Sequence, residues 1–164
     1  MKKLIILLMV LLPLGVVAQE MKIAHVNFNS ILAALPEIPD YEKKMADLRE
    51  MYDKELKVMN DEYTKKYEDF VRQQDELTEN IKLRRMQEIQ DLQERMENVV
   101  NVATQDIQQK QQELLQPLHE KVTKAIQQVA DENKYSYVGD TQMFYYVGNS
   151  AIDATDQVRK KLGI

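Results

Sequence analysis

The chain contains no cysteine and no tryptophan, and only four glycines and four prolines in 164 residues. Without cysteine there is no disulfide framework and no thiolate metal site. With so few glycines there is no Gly-rich loop to cradle a phosphate, and no Walker signature occurs. Between Asp40 and Asn133 there is one proline, Pro117, and no glycine at all. Such sparse punctuation fits one helix-dominated unit better than two globular domains. Bases are also short, 22 against 27 acids, so a nucleic-acid binder is not expected. No nucleophile–base pair or paired-carboxylate site stands out, and His25 and His119 sit in no ligand-spacing motif. The expectation is no enzyme, no cofactor and no metal site, with His25 a strand-surface or interface residue.

What is present begins with a leader. Lys2 and Lys3 precede an apolar run from Leu4 to Val17, and Val16-Val17-Ala18 supplies small residues before Gln19. This pattern predicts a secretory signal peptide over residues 1–18, cleaved after Ala18. The run is too short for a comfortable membrane span. Removing the leader takes two lysines and leaves 20 bases against 27 acids, a net charge of −7.

The dominant feature is an eleven-residue repeat. Tyr41, Tyr52 and Tyr63 recur at that interval, as do Met45, Leu56 and Tyr67, and Leu48, Met59 and Phe70. Three apolar positions in eleven give a period of about 3.67, so the helix should run nearly straight or supercoil slightly to the right. Acids precede bases by four residues on the remaining surface: Asp40/Lys44, Glu50/Lys54, Asp53/Lys57, Asp61/Lys65, Glu62/Lys66 and Glu68/Arg72. Each pair adds ~0.2–0.5 kcal/mol to an exposed helix. Continuing the stripe beyond Ile81 would land on Arg85 and Glu88. Apolar residues resume instead at Leu83, Met86, Ile89, Leu92 and Met96. A phase jump at Thr78–Leu83 predicts a reversal, hence a helical hairpin over residues 40–117. Pro117 should kink the returning helix where it enters a packed body.

Around this arm lie the parts of a small body, residues 19–39 and 118–164. Lys22–Asn27 reads as a short strand, Asn29-Ser30 as the cap of a short helix through Leu35, and Asp40 as the cap of the arm. Tyr135–Val138 and Met143–Val147 read as a β-hairpin about Gly139-Asp140-Thr141-Gln142, and Asp153 as the cap of a last helix, Ala154–Leu162. The fold class is α+β and helix-dominated. Three short strands and two short helices cannot bury a substantial core, so other copies of the chain should complete the body.

In order and spacing, these segments resemble the Skp (OmpH-like) periplasmic chaperones. The likeness is carried by Lys22-Ile-Ala-His-Val-Asn27 with Ile31-Leu32 and Pro36-Glu37, by Leu115-Gln-Pro-Leu118 with Lys124-Ala-Ile126 and Val129-Ala130, and by Tyr135-Ser-Tyr-Val138, Phe144-Tyr-Tyr146 and Asp153-Ala-Thr155. It spans essentially the whole mature chain, although Asp-Ile-Thr is more usual at the last motif. The resemblance implies a homotrimer, with three helical hairpins hanging as tentacles from a shared β body. It also implies a periplasmic holdase that keeps unfolded outer-membrane β-barrel proteins from aggregating before insertion, without ATP. Well-known members are strongly basic; this chain is acidic.

Candidate sites follow. Met51, Val58 and Val71 lie off the stripe and are candidates for client contact, since methionine suits irregular partners. Lys82, Arg84 and Arg85 form a basic cluster at the expected tip. It could meet anionic lipid or lipopolysaccharide, but three charges at an exposed turn are usually solvation only. Ile23, Val26, Val138, Phe144 and Tyr146 are candidates for the oligomer interface. A rival reading is a structural coiled-coil envelope protein that tethers or spaces partners, built on one continuous helix of about ninety residues.

Overall fold

The computed structural model describes residues 21–164. The leader expected over residues 1–18 lies outside them. Strand β1 (Ile23–Val26) is central, with β2 (Tyr137–Asp140) and β3 (Ile152–Asp153) on either side, both parallel to it. Helices α1 (Phe28–Ala33), α2 (Ile38–Gln73) and α3 (Glu79–Asn133) run between β1 and β2, and α4 (Thr155–Leu162) follows β3. Parallel neighbours require a crossover. Here the crossover from β1 to β2 is the arm itself.

Several local expectations are corrected. Asn27, not Asn29-Ser30, caps α1: its Oδ1 accepts the Ser30 N–H at 2.9 Å. Helix α2 starts at Ile38, before Asp40. Pro39 fits its first turn because the amide it lacks would have no partner there. Asp40 follows it, favourably placed against the helix dipole and paired with Lys44 at 2.7 Å. Helix α4 starts at Thr155, with Ala154 in the cap position, but Asp153 still accepts the Thr155 N–H at 2.9 Å.

The largest correction is the β-hairpin, which does not form. Asp140 Oδ1 accepts the Gln142 N–H at 2.9 Å and starts a 3-10 turn over Thr141–Met143. That turn carries Met143–Val147 across the sheet instead of alongside β2. The Phe144 ring lies over Gly139 so closely that a Cβ there would sit 2.6 Å from it.

The arm is a hairpin, not one continuous helix. Partners fall on α3 as they rise on α2: Glu37 ion-pairs with Lys121, Tyr52 bonds Asp106, and Gln73 accepts from Arg85. The reversal occupies Gln74–Thr78, just before the expected place. A 3-10 turn, Gln74–Glu76, leads to two extended residues, Leu77 and Thr78. The Thr78 carbonyl then accepts from Ile81 and Lys82, both at 2.9 Å. No residue of this turn needs a positive φ, which is why no glycine marks it. At ~1.5 Å per residue, the 36 residues of α2 span about 54 Å and the 55 of α3 about 80 Å. The helical assignment of α3 continues unbroken through Pro117.

The core is small and one-sided. Ala24 and Val26 of β1, Ile31 and Leu35, Leu118, Val122, Ala125 and Val129 of α3, and Ala154 and Val158 form one buried cluster. Leu162, at the end of the last helix, packs against it. The opposite face of β1 carries Ile23, half exposed, and His25. Helices therefore cover one face of the sheet, and the other is left to the Phe144 segment.

Helix α3 ends at Lys134 in the left-handed region (φ 57°), with the Tyr135 N–H bonded to the Ala130 carbonyl at 2.9 Å. A side chain with a Cβ pays about 1 kcal/mol there, which glycine avoids. Lys134→Gly should therefore raise unfolding stability by roughly 0.5–1 kcal/mol. Urea titration checks this: an unchanged or lower midpoint would mean that the Lys134 side chain contributes more than its backbone costs.

Candidate interaction surfaces

The seam between the arms sets which side chains face outward. On α2, Met45 and Tyr52 are buried, while Tyr41, Leu48, Leu56, Met59, Tyr63 and Phe70 are half-buried. Tyr67 departs from the stripe: it is 51% exposed and stacks on Tyr63 at 6.1 Å. The returning helix carries the same repeat, which the sequence reading missed. Leu92, Ala103, Leu114 and Ala125 recur every eleven residues, as do Met96, Ile107, Leu118 and Val129, and all are at least half-buried. Of the face expected from Leu83 to Met96, only Ile89, Leu92 and Met96 turn inward; Leu83 and Met86 are exposed. Arg85 takes an inward position instead, its Nη1 donating to Gln73 Oε1 at 2.8 Å.

Polar contacts lock the register. The Tyr52 hydroxyl donates to Asp106 Oδ2 at 2.5 Å, and Lys66 reaches Glu88 across the seam at 3.4 Å. Lys121 holds the Glu37 carboxyl below its usual range, chiefly by hydrogen bonding. Three expected helix pairs are closed, Asp40–Lys44, Glu50–Lys54 and Glu62–Lys66, while Arg72 turns to Asp69 instead of Glu68. These exposed pairs hold side-chain geometry more than they add stability.

Met51, Val58 and Val71 are all exposed, at 50, 67 and 47%. They do not form one patch. Met51 and Val58 are two turns apart on one flank of α2, whereas Val71, thirteen residues beyond Val58, lands about 140° around the helix. Val102 on α3, 51% exposed, went unremarked in the sequence, where it is one of several apolar residues in Val99-Val100-Asn101-Val102-Ala103. The tip cations are all engaged: Lys82 with Glu79, Arg84 with Glu88, and Arg85 with Gln73. Asp75, Glu76, Glu79 and Glu88 outnumber them, so the tip is not a basic patch.

At the other end, the open sheet face gathers Ile23, Tyr137, Phe144 and Tyr146, all exposed. Val138 packs against the inner cluster. Val26 is 2% exposed and lies inside the chain's own core, so it has no surface to offer a neighbouring copy. Strand alternation decides this: Ala24 and Val26 point inward, Ile23 and His25 outward. His25 Nδ1 lies 3.1 Å from Thr141 Oγ1, which itself donates to the Val26 carbonyl. His119 stacks edge-on against Phe28 at 5.1 Å. The two histidines thus have separate, structural surroundings. Thr155 holds the Asp153 carboxyl below its usual range by hydrogen bonding.

A one-sided sheet bearing a long two-helix arm, with apolar residues spread over both, describes a protein that works through surfaces. The chain belongs to the OmpH-like outer membrane protein family, whose model matches residues 22–162. Members of that family are non-catalytic, chaperone-type proteins of the periplasm, and this chain is one of them. Its structure is similar to the crystal structure of a candidate outer membrane chaperone (OmpH-like) from Caulobacter crescentus. The TM-score is 0.71 at 14% identity, covering 85% of this chain and 82% of that one. At that identity the likeness speaks to the fold alone. Curated protein sequences give no match.

The Tyr52–Asp106 bond yields a pH signature. Asp106 accepts from the neutral phenol, so the pKa of Tyr52 is raised above 10.0 in the folded chain. A raised value means that this bond's stabilisation is complete below the unfolded pKa and is lost as pH rises through the folded one. Thermal stability should therefore fall above about pH 10, and Tyr52→Phe should flatten that fall. Equal alkaline slopes for the two proteins would show that Tyr52 does not titrate across the seam.

Proposed function

We propose that this chain is an ATP-independent holdase that shields unfolded outer-membrane β-barrel proteins from aggregation, and that it works as a homotrimer. The carrying observation is the arm's surface, where Met51, Val58, Val71 and Val102 stand singly among charged and amide side chains. Scattered apolar contacts suit a client with no fixed shape. Each is weak, and an unfolded chain can engage many of them together. A sequence with no phosphate-cradling loop accords with holding that needs no nucleotide.

The trimer is inferred from the uncovered sheet face. Ile23, Tyr137, Phe144 and Tyr146 together make an apolar surface of the kind that oligomers bury. Joining three such faces would enlarge a core that is small for one chain and set the arms around a common space. The tethering alternative loses its main structural support, because the chain folds back at Gln74–Thr78.

Two outcomes test these readings. The unfolding midpoint should rise with protein concentration, and Phe144→Asp should lower the oligomer's mass in light scattering while leaving helix content unchanged. A monomer at micromolar concentration would remove the shared-body argument. For holding, an unfolded outer-membrane β-barrel protein diluted from urea should stay soluble in the presence of the wild type. Serine at Met51, Val58 and Val71 should raise the chaperone concentration needed several-fold, while neutralising Lys82, Arg84 and Arg85 should matter less. The reverse ranking would move the site to the tip. With acidic clients, added salt should leave suppression unchanged or improve it, since α2 with its turn (Asp40–Leu77) carries twelve acids against eight bases.

A further inference from the structure

The arm has two flanks beside its seam, and they differ in chemistry. On α2, Met51, Glu55, Val58 and Glu62 follow one another at helical spacing along one flank. On α3, Arg95, Asn98, Val102 and Asp106 do the same. The two rows border one groove: Glu55 and Glu62 line it from α2, Arg95 and Asn98 from α3, with Met59, Leu92 and Val99 at its floor. Beyond the groove, Asp106 accepts from the Tyr52 hydroxyl across the seam. The exposed apolar side chains along this flank, Met51, Val58 and Val102, therefore stand among carboxylates.

We infer that this flank is a docking surface for unfolded segments in which lysine or arginine alternates with apolar residues. Charge complementarity selects that occupant. One turn outward from the rows, Asp47 and Asp91 continue them, so residues 47–62 and 91–106 set five carboxylates beside one guanidinium, Arg95; of these, Glu62 has Lys66 at 3.8 Å and Asp106 holds the Tyr52 hydroxyl, which leaves Glu55, Asp47 and Asp91 in excess. Arg95 has no ion pair within 4.0 Å among the described residues. The acid excess of the chain also belongs to the arm: residues 40–117 hold nineteen acids and thirteen bases, whereas residues 118–164 hold six of each. An acidic segment laid on Val58 and Val102 would bring its carboxylates against Glu55 and Glu62. A cationic one would neutralise them while its apolar residues cover the valines. The surface favours basic stretches of clients and disfavours acidic ones.

This rests on the holding role proposed above, and the test separates the two. Two fluorescent, unstructured peptides share the same leucines; one carries lysine at every other position and its twin carries glutamate. Anisotropy titration against the full chain is run at about 0.01 M salt, where the Debye length is about 30 Å, and at about 0.15 M, where it is about 8 Å. The lysine peptide should bind roughly tenfold tighter at low salt, and the gap should largely close at the higher salt. Glu55→Gln with Glu62→Gln should shrink the gap. Glu50→Gln with Asp61→Asn, which removes as much charge from the back of α2, should leave most of it. Val58→Ser with Val102→Ser should weaken both peptides alike. Equal binding of the twins, or tighter binding of the glutamate peptide, overturns the inference. An equal effect of the two charge-removal variants overturns the assignment to this flank. If neither peptide binds while β-barrel aggregation is still suppressed, the inference fails and the holding role stands. If suppression fails as well, the holding role falls with it.

Discussion

One helix belongs to both halves of this molecule, and the rest of the structure depends on its continuity. Leu118, Val122, Ala125 and Val129 of α3 fill the core beneath β1, while Leu92 and Ala103 of the same helix fill the seam against α2. An isolated helix of this composition would gain little from its exposed ion pairs. Most helical stability comes from packing an apolar face, and α3 has such a face along most of its length. The eleven-residue repeat keeps that face aligned. Met96, Ile107, Leu118 and Val129 pass from the seam into the core without a change of phase. The arm is therefore an extension of the body's own helix, and its orientation is fixed where Lys121 meets Glu37 at the base.

That economy leaves two surfaces uncovered. A single stripe on each helix is enough to hold the hairpin, so every other position can be polar or singly apolar without cost to the fold. At the sheet, one layer of helices buries one face, and Phe144 lies over Gly139 as a partial lid on the other. The family to which the chain belongs is one of non-catalytic chaperones. The arm is stabilised by its inside and can vary on its outside, so its outward residues are not constrained by the fold.

Much of this was legible because helical periodicity is a local signal. Tyr41, Met45, Leu48 and their repeats mark the inward face of α2 without reference to any other residue, and the phase change after Ile81 marks a reversal. Turn chemistry was harder to read, since Gln74–Thr78 closes in ordinary backbone conformations that leave no glycine or proline behind. The repeat on α3 was obscured because Arg85 and Lys110 take inward positions, their stems packing while their heads stay in reach of polar partners. The tail misled through propensity. Met-Phe-Tyr-Tyr-Val has the residues of a strand, but Asp140 caps a tight turn just before it, and a strand needs an edge as well as a sequence. Pairing of β1 with β2 and β3 is long-range and parallel, and no local pattern announces it. Val26 was misassigned for the same reason, since only the sheet decides which face of β1 is inside.

Charge on this chain falls unevenly. Surface charge hardly affects a fold held by an inward stripe. The sign of the arm's outward charge can therefore vary with Tyr52, Leu92 and Ala103 untouched. What changes is the field an incoming chain meets, which acts on capture and on choice among clients. The excess lies on residues 40–117 and not on the balanced carboxy-terminal body, so it lies where clients would be held. Since Glu55 and Glu62 border the same groove as Val58's neighbours on the seam, apolar contact and charge cannot be sampled separately by anything that docks there. Affinity on such a surface is set by how a client interleaves its own charges with its apolar residues. Two clients of equal hydrophobicity are then told apart by the sign of the residues between their leucines and valines.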